Sequence, residues 1–271
     1  GENGALRLEP SRTNLVTNSE YVSSFTNVTS SFVLSPEGVN NATRITETTA
    51  NAQHYATAAS ASVTSGTTYA VSLFVKKGAY DTIRIYTNSA TLNFSMIFTF
   101  STETINGYGS GYVSNSVKAE DYGNGWYRLS AAATASATGV TFFYLNPKDL
   151  GSYAGDVTKY TDFYGMQIEA GSYPSSYVPT YGSAVTRSAD VCNSGGSAES
   201  INSTEGVLYA EIAGLVTGGV NRVMTISDGS YDNSVRIQLY TNTNEIEMRV
   251  VTGNSIQALQ RVAITNTLDF N

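Results

Sequence analysis

The feature that most constrains this chain is the recurrence of short segments in which apolar and polar residues alternate. The clearest runs from Tyr69 to Lys76, and another runs from Thr43 to Thr48. Successive side chains of a strand point to opposite faces, so a period of two predicts strands with one buried face. Residues 1–170 contain no sustained helical period. Strands without helices bury their faces against another sheet, which predicts an all-β protein built on a jelly-roll β-sandwich.

The only tryptophan lies in Asn124-Gly125-Trp126-Tyr127-Arg128-Leu129, where a turn opens into a strand. Its neighbours roughly alternate in polarity, as in a strand with one face on a core. We interpret Trp126 as the plug of the sandwich core. We interpret Arg128 as the partner of a cross-strand residue or of a carboxylate.

A change in composition divides the chain. Asp162 to Glu169 reads as the strand that closes a first domain, and residues 174–187 read as an ordered linker or wrapping tail. Gly, Ser, Ala and Asn then dominate residues 192–200, which is typical of a joint. Strand patterns resume after residue 206. We therefore predict a first domain over 1–190, a linker over 191–200 and the start of a second β-sandwich over 201–271.

The first residue is not methionine, and the last residues still read as strand. We expect a piece of a longer protein.

Charge and apolar patterning exclude several classes of partner. The formal net charge is −7, and no cluster of Lys and Arg interrupts it, so the positive surface that attracts a phosphate backbone is missing. The apolar runs are too short for a membrane-spanning helix. We predict neither nucleic-acid binding nor membrane insertion.

Catalytic chemistry has few candidate residues. His54 is the only histidine and Cys192 the only cysteine, so zinc ligation is excluded and a nucleophile relay would depend on His54. Paired carboxylates can hydrolyse glycosides. Many acidic residues are available, but no spacing singles out a pair. A hydrolase or lyase therefore remains one alternative.

A series of motifs resembles a known family. The series is listed here in chain order: Leu6 to Leu15, Gly66 to Lys76, Gly125-Trp126-Tyr127-Arg128, Gly165 to Gly171, Tyr177 to Thr180, and Val185 to Asp190. Together these segments resemble the carbohydrate-binding-module-like jelly roll of tailed-phage tail, fibre and head-spike proteins. Residues 204–209 and 221–229 are similar to the start of the laminin-G/concanavalin-like sandwich that often follows in such proteins.

The resemblance implies a non-enzymatic structural protein of the virion surface, as a tail fibre, head fibre or decoration that adheres to host glycans. Its implied partners are other virion proteins and a cell-surface glycan, and its implied state is a homotrimer. Related modules often carry one structural calcium, for which Asn18, Glu20 and Asp162 are the candidate ligands; no other cofactor is implied. The alternative is the carbohydrate-binding module of a secreted polysaccharide-degrading enzyme.

Aromatic residues are the candidates for sugar contacts, because a tyrosine offers a flat apolar ring and a polar hydroxyl. We interpret residues 104–112 as a loop in which glycines allow close approach. Tyr108 and Tyr112 lie in this segment, and Tyr153 lies in a comparable one. We predict these three tyrosines as carbohydrate-binding residues.

Overall fold

The computed structural model describes residues 9–22, 24–87, 90–148, 151–190, 208, 222–240, 243 and 245–263. Within these residues the regular structure consists of strands, and there is no helix. The all-β fold class predicted from the alternation is therefore confirmed. The chain separates into two compact units, Gly1–Cys192 (unit 1) and Asn193–Asn271 (unit 2).

No helix formed by the described residues is long and apolar enough to cross a membrane.

Unit 1 contains sixteen described strands. They are β1 Arg12–Asn14, β2 Ser24–Thr26, β3 Val28–Val33, β4 Ala42–Glu47, β5 Asn51–Ala52, β6 Tyr55–Val63, β7 Thr68–Lys76, β8 Thr82–Thr87, β9 Ser95–Thr99, β10 Thr104–Tyr108, β11 Lys118–Gly123, β12 Trp126–Thr134, β13 Gly139–Asn146, β14 Tyr153–Ala154, β15 Tyr160–Ala170 and β16 Val185–Arg187.

Two six-stranded antiparallel sheets form the sandwich of unit 1 in the described residues. The front sheet has the order β10-β9-β8-β13-β6-β2, and the back sheet has the order β11-β12-β7-β15-β4-β3. Two short pairs complete the unit: β1 with β16, and β5 with β14. Neighbours in space are often distant in sequence, so a double sheet of this kind agrees with the predicted β-sandwich.

The main core of unit 1 joins the inward side chains of the two sheets. Ile85 and Phe143 of the front sheet belong to it, as do Leu73, Leu129 and other fully buried residues of the back sheet. Because strand side chains alternate, each inward residue leaves its neighbours on the outer face of the same sheet. Phe143 is fully buried, whereas Phe142 is 48% exposed.

A polar row on the outer face of the back sheet is sealed by the tail that follows β15. Arg128 donates from Nη2 to the carbonyl of Ser175 (2.7 Å), and Glu169 accepts from the backbone N–H of Ser175 (2.8 Å). Gln167 accepts from the N–H of Val178 at 2.6 Å. Arg128, Gln167 and Glu169 are all buried. The segment read as a wrapping tail thus packs on the back sheet.

The structure corrects our interpretation of Trp126 and confirms a cross-strand partner for Arg128, because Ser72 lies on the neighbouring strand β7. Trp126 is buried, but it lies with Phe74 and Tyr164 in a second small cluster rather than between the two sheets. Arg128 donates to the Ser72 hydroxyl and to a backbone carbonyl. Alternation places both side chains outward on β12, where the tail replaces the opposite sheet as cover.

The segment predicted as a loop also differs. Residues 104–108 form the edge strand β10, which pairs with β9. Because of Gly107, this segment does not read as a strand in the sequence. A Cβ at this position would lie 2.2 Å from the Tyr112 ring, so the glycine is required for close packing rather than for a turn.

Unit 2 contains four described strands in an antiparallel meander: β17 Arg222–Ser227, β18 Ser234–Tyr240, β19 Glu245–Thr252 and β20 Ser255–Ala263. Glu247 is fully buried and forms ion pairs with Arg249 (2.7 Å) and Arg261 (2.8 Å). The linker over 191–200 and residues 207–221, where strand patterns resume, lie outside the described residues, apart from Leu208. The laminin-G-like identity of this unit stays a prediction.

Phe143→Ala and Phe142→Ala form a matched pair that tests the sidedness of β13. We expect Phe143→Ala to lower the free energy of unfolding by about 3–5 kcal/mol, because it leaves a cavity in the core. Phe142→Ala should cost less than about 1 kcal/mol, because its ring is half exposed. Urea unfolding of the 271-residue chain measures both, and equal losses would contradict this assignment of faces.

Candidate functional site

The outer face of the front sheet carries a cluster of tyrosines. The rings of Tyr86 and Tyr144 stack at 5.2 Å between centroids with an interplanar angle of 29°. Tyr55 meets Tyr144 edge to face at 5.5 Å. Burial, followed by the proximity of Tyr55 and Tyr144, raises the pKa of Tyr86, while Arg84 opposes this effect. The three hydroxyl groups are thus held close together on one surface.

Strand register brings these rings together. Tyr144 of β13 lies directly opposite Tyr86 of β8 and opposite Thr57 of β6. Directly opposed side chains on one face of an antiparallel pair are near neighbours. Their inward neighbours Ile85 and Phe143 are fully buried, which fixes the outward direction of the tyrosines.

The row continues across the sheet to its edge. Tyr108 of β10 lies opposite Ser95 of β9, and Ser95 lies opposite Tyr86. Two strand spacings, about 10 Å, therefore separate Tyr108 from Tyr86. Tyr108 is 50% exposed. We define the aromatic face as the outward surface of Tyr55, Tyr86, Tyr108, Phe142 and Tyr144.

A shallow hollow adjoins the aromatic face beside Phe142. Its volume is about 130 Å³, and its lining includes Asn18, Tyr21, Ser60 and Phe142. Tyr21 is 57% exposed. The hollow therefore combines two accessible rings with amide and hydroxyl groups.

One cation lies on the aromatic face. The guanidinium carbon of Arg84 is 5.4 Å from the centroid of the Tyr86 ring. Its Nε donates to the Ser95 hydroxyl at 2.8 Å. Arg84 is thus held on the sheet surface by a ring contact and a hydrogen bond.

The structure separates the three tyrosines predicted to bind sugar. Tyr108 lies on the aromatic face. Tyr112 lies on the inner side of β10, where its ring covers Gly107 and packs against the main core. Tyr108 and Tyr112 therefore lie on opposite sides of β10, which corrects the picture of one loop presenting both rings; sugar binding by Tyr112 stays a prediction.

Tyr153 belongs to a different cluster, centred on the buried carboxylate of Glu47. Its hydroxyl donates to Glu47 Oε1 at 2.5 Å, and the hydroxyl of Tyr80 donates to Oε2 at 3.1 Å. The Tyr153 ring packs against His54 at 4.7 Å, and Lys148 Nζ lies 4.8 Å from its centroid. Tyr153 therefore acts here as a packing and hydrogen-bonding residue.

The predicted calcium ligands have other partners. Asp162 forms a two-point pair with Arg44, with Nε and Nη2 at 2.7 and 2.9 Å from its oxygens. Glu20 accepts from Tyr164, Tyr181 and Asn41, and Asn18 accepts from the N–H of Gly182. No recorded contact joins Asn18, Glu20 and Asp162 among the described residues. A calcium site formed by these residues stays a prediction, and the carboxylate of Asp162 fits it poorly because a guanidinium occupies both oxygens.

In the described part of the chain, no group of three or more His, Cys, Asp and Glu residues could hold a metal ion. His54 is buried, and neither of its ring nitrogens has a hydrogen-bond partner among the described residues. Cys192 lies outside the described residues.

Sequence reasoning did not assign Tyr55, Tyr86, Phe142 and Tyr144 to a site. The order Phe142-Phe143-Tyr144 places Phe142 and Tyr144 on one face by alternation alone. Phe142 and Tyr144 lie on the same face as Tyr86 and Tyr108 because of the order of five strands in the front sheet. This strand order cannot be read from the sequence.

Comparisons with known proteins do not assign a function to this chain. No protein-family model matches the chain, and no curated protein matches it. One solved structure that shows similarity is the CBM22-1 and GH10 modules of Clostridium thermocellum xylanase 10B, complexed with xylohexaose. The match has 17% identity and a TM-score of 0.30, and it covers 58% of this chain and 27% of that one. The chain thus spans about a quarter of that protein, and a similarity this weak assigns no ligand.

The Glu47 cluster predicts how stability depends on pH. Burial and the hydrogen bond to Glu47 raise the pKa of Tyr80 to about 12 and raise that of Tyr153. Unfolded tyrosine titrates near pH ~10, so the folded state holds these protons more tightly. Their contribution is complete below about pH 10 and is lost as the pH rises towards about 12.

We therefore expect the urea midpoint to fall over this alkaline range and to fall less steeply in Tyr80→Phe. Tyr231→Phe, at an exposed position in unit 2, serves as the control. The same slope in Tyr80→Phe and the unchanged protein would exclude this origin.

Proposed function

We propose that unit 1 is a non-catalytic carbohydrate-binding module and that its aromatic face binds a glycan chain. The observation that carries this proposal is the row of outward tyrosines, in which the stacked pair Tyr86 and Tyr144 continues to the half-exposed Tyr108. The row crosses the strands at right angles. The bound chain therefore lies across the front sheet.

The chemistry of the face suits sugars. A pyranose has an apolar face of C–H groups and a rim of hydroxyls, and aromatic rings with polar tips match both. Thr57 and Asn106 face outward beside the tyrosine row. Asn18 and Ser60 line the adjoining hollow, where Tyr21 and Phe142 supply the rings. The tyrosines give contact area, and these groups give hydrogen bonds.

We place the module on the surface of a phage virion, as part of a tail fibre, head fibre or decoration that adheres to host glycans. The motif series over residues 6–190 supports this setting. In it, the partners are other virion proteins and a cell-surface glycan, the assembly is a homotrimer, and no chemical step is catalysed.

Tyr144→Ala tests the aromatic face directly. A glycan array of neutral and acidic oligosaccharides identifies a bound probe, and isothermal titration with that probe gives the affinity. We expect Tyr144→Ala to weaken binding at least about tenfold, equivalent to ~1.4 kcal/mol, because the central ring of the row is lost. Tyr108→Ala should weaken binding less, because it lies at the edge.

Tyr122→Ala is the matched control for Tyr108→Ala. Tyr122 has the same exposure of 50% but contacts Phe74 of the back sheet. Its replacement should leave the affinity unchanged. Binding that is insensitive to Tyr144→Ala, or an array without any bound glycan, would contradict the proposed function.

Light scattering coupled to size-exclusion chromatography tests the fibre setting. We expect the 271-residue chain to be a trimer, because fibres of this kind assemble as closed cyclic oligomers. A monomer at all concentrations would instead favour the module of a secreted polysaccharide-degrading enzyme. That result would leave the aromatic face as a glycan site.

A further inference from the structure

Strand β3 is an open edge of the back sheet. It ends the strand order after β4, and among the described residues no strand pairs with its other side. Its four residues from Thr29 to Phe32 are all exposed. An edge strand presents a row of unpaired N–H and C=O groups that can pair with the strand of another chain. β3 is therefore able to take up one more strand.

The other three edges of the described sandwich carry features that hinder such pairing. β2 has only three residues. β11 carries Lys118, Glu120 and Asp121, and its register with β12 shifts at a bulge. β10 contains Gly107, and glycine weakens a strand.

β3 lacks every one of these features. Its sequence Val-Thr-Ser-Ser-Phe-Val has no charged residue, no proline and no glycine, and its six residues pair with β4 without a register shift. Short length, charged side chains and bulges are the means by which proteins prevent edge-to-edge association. The edge at β3 is thus the one edge of the described sandwich that nothing in its sequence protects.

Phe32 adds an apolar ring to this edge. It shares a face of β3 with Ser30, and Ser30 lies opposite the fully buried Ile45 of β4. Phe32 thus lies on the core side of the sheet, yet its ring is 59% exposed because β3 is the last strand. A strand added to β3 would cover the ring.

Charge and symmetry favour a second copy of the chain as the added strand. Two copies repel each other through their formal net charge of −7, so they meet most easily where neither surface is charged. β3 is such a surface. An antiparallel edge is also self-complementary, because a two-fold rotation places the N–H groups of one strand opposite the C=O groups of the other.

We infer that β3 is a contact between two copies of the chain, in which the β3 strands pair antiparallel across a two-fold axis and join the two back sheets. Directly opposed residues of an antiparallel pair lie on the same face, so the axis passes through a residue. Pairing along the whole strand places Ser30 or Ser31 opposite its own copy. Because this contact is two-fold, it is separate from the proposed homotrimer and would join two trimers.

Light scattering coupled to size-exclusion chromatography tests the contact over about a hundredfold range of protein concentration. A single six-residue edge is small for an interface, so we expect association only at the higher concentrations. There the mass of the 271-residue chain should double, whether the species at low concentration is a monomer or a trimer.

Ser31→Glu should abolish the doubling, because it places like charges on the two paired strands. The new carboxylate would lie opposite Arg44 of β4, so the variant should still fold. Ser62→Glu, at an exposed position of the interior strand β6, is the charge-matched control and should double in mass as the unchanged protein does.

Cysteine cross-linking identifies the surface in contact. In a Cys192→Ser background, mild oxidation should link two copies through Ser30→Cys or through Ser31→Cys, because the residue on the axis meets its own copy. Ser62→Cys should give no linked pair. A mass that is independent of concentration, a doubling that survives in Ser31→Glu, or a doubling without a cross-link at either serine would overturn the inference. Glycan binding by the front sheet is measured separately and does not depend on these outcomes.

Discussion

Unit 1 depends on a row of buried polar side chains on the back sheet. Arg128, Gln167 and Glu169 have no access to water, and the tail after β15 supplies the backbone N–H and C=O groups that they require. The same segment both covers these groups and satisfies them, so a cover without these partners would leave a buried cation and a buried carboxylate unpaired, which is costly. The tail is therefore part of the domain, although it forms little regular structure of its own. It also covers part of the outer face of β12 and β15.

The front sheet differs from the back sheet in the side chains of its outer face. Its inner residues complete the core, while its outer residues include the tyrosines, several hydroxyl and amide groups and a single described cation. Large contiguous apolar patches on a protein surface often mark interaction sites, whereas single exposed apolar residues do not. The candidate site lies on the front sheet, whereas the tail covers part of the outer face of the back sheet. This difference makes variants on the two sheets good controls for each other.

Local pattern allowed much of the fold to be predicted. The alternation from Tyr69 to Lys76 matches β7, and that from Thr43 to Thr48 overlaps β4. Contacts between residues that are distant in the sequence could not be predicted. Trp126 reads as core because it is large and apolar, but which side of its sheet is covered depends on the tail. The Gly and Tyr content of residues 104–112 indicates a loop. The segment nevertheless contains a strand, in which Gly107 leaves room for the ring of Tyr112. The aromatic face likewise depends on strand order, because β6, β8 and β13 are far apart in sequence.

The pairing of β1 with β16 has a mechanical consequence. Arg12 lies opposite Arg187, so the chain enters and leaves unit 1 side by side in opposite directions. Glu9, Arg187 and Asp190 reinforce this junction by ion pairs. Tension applied along the polypeptide would be borne first by that short ladder, in an unzipping geometry, while the sandwich would lie beside the line of force. The junction would then yield before the front sheet deforms.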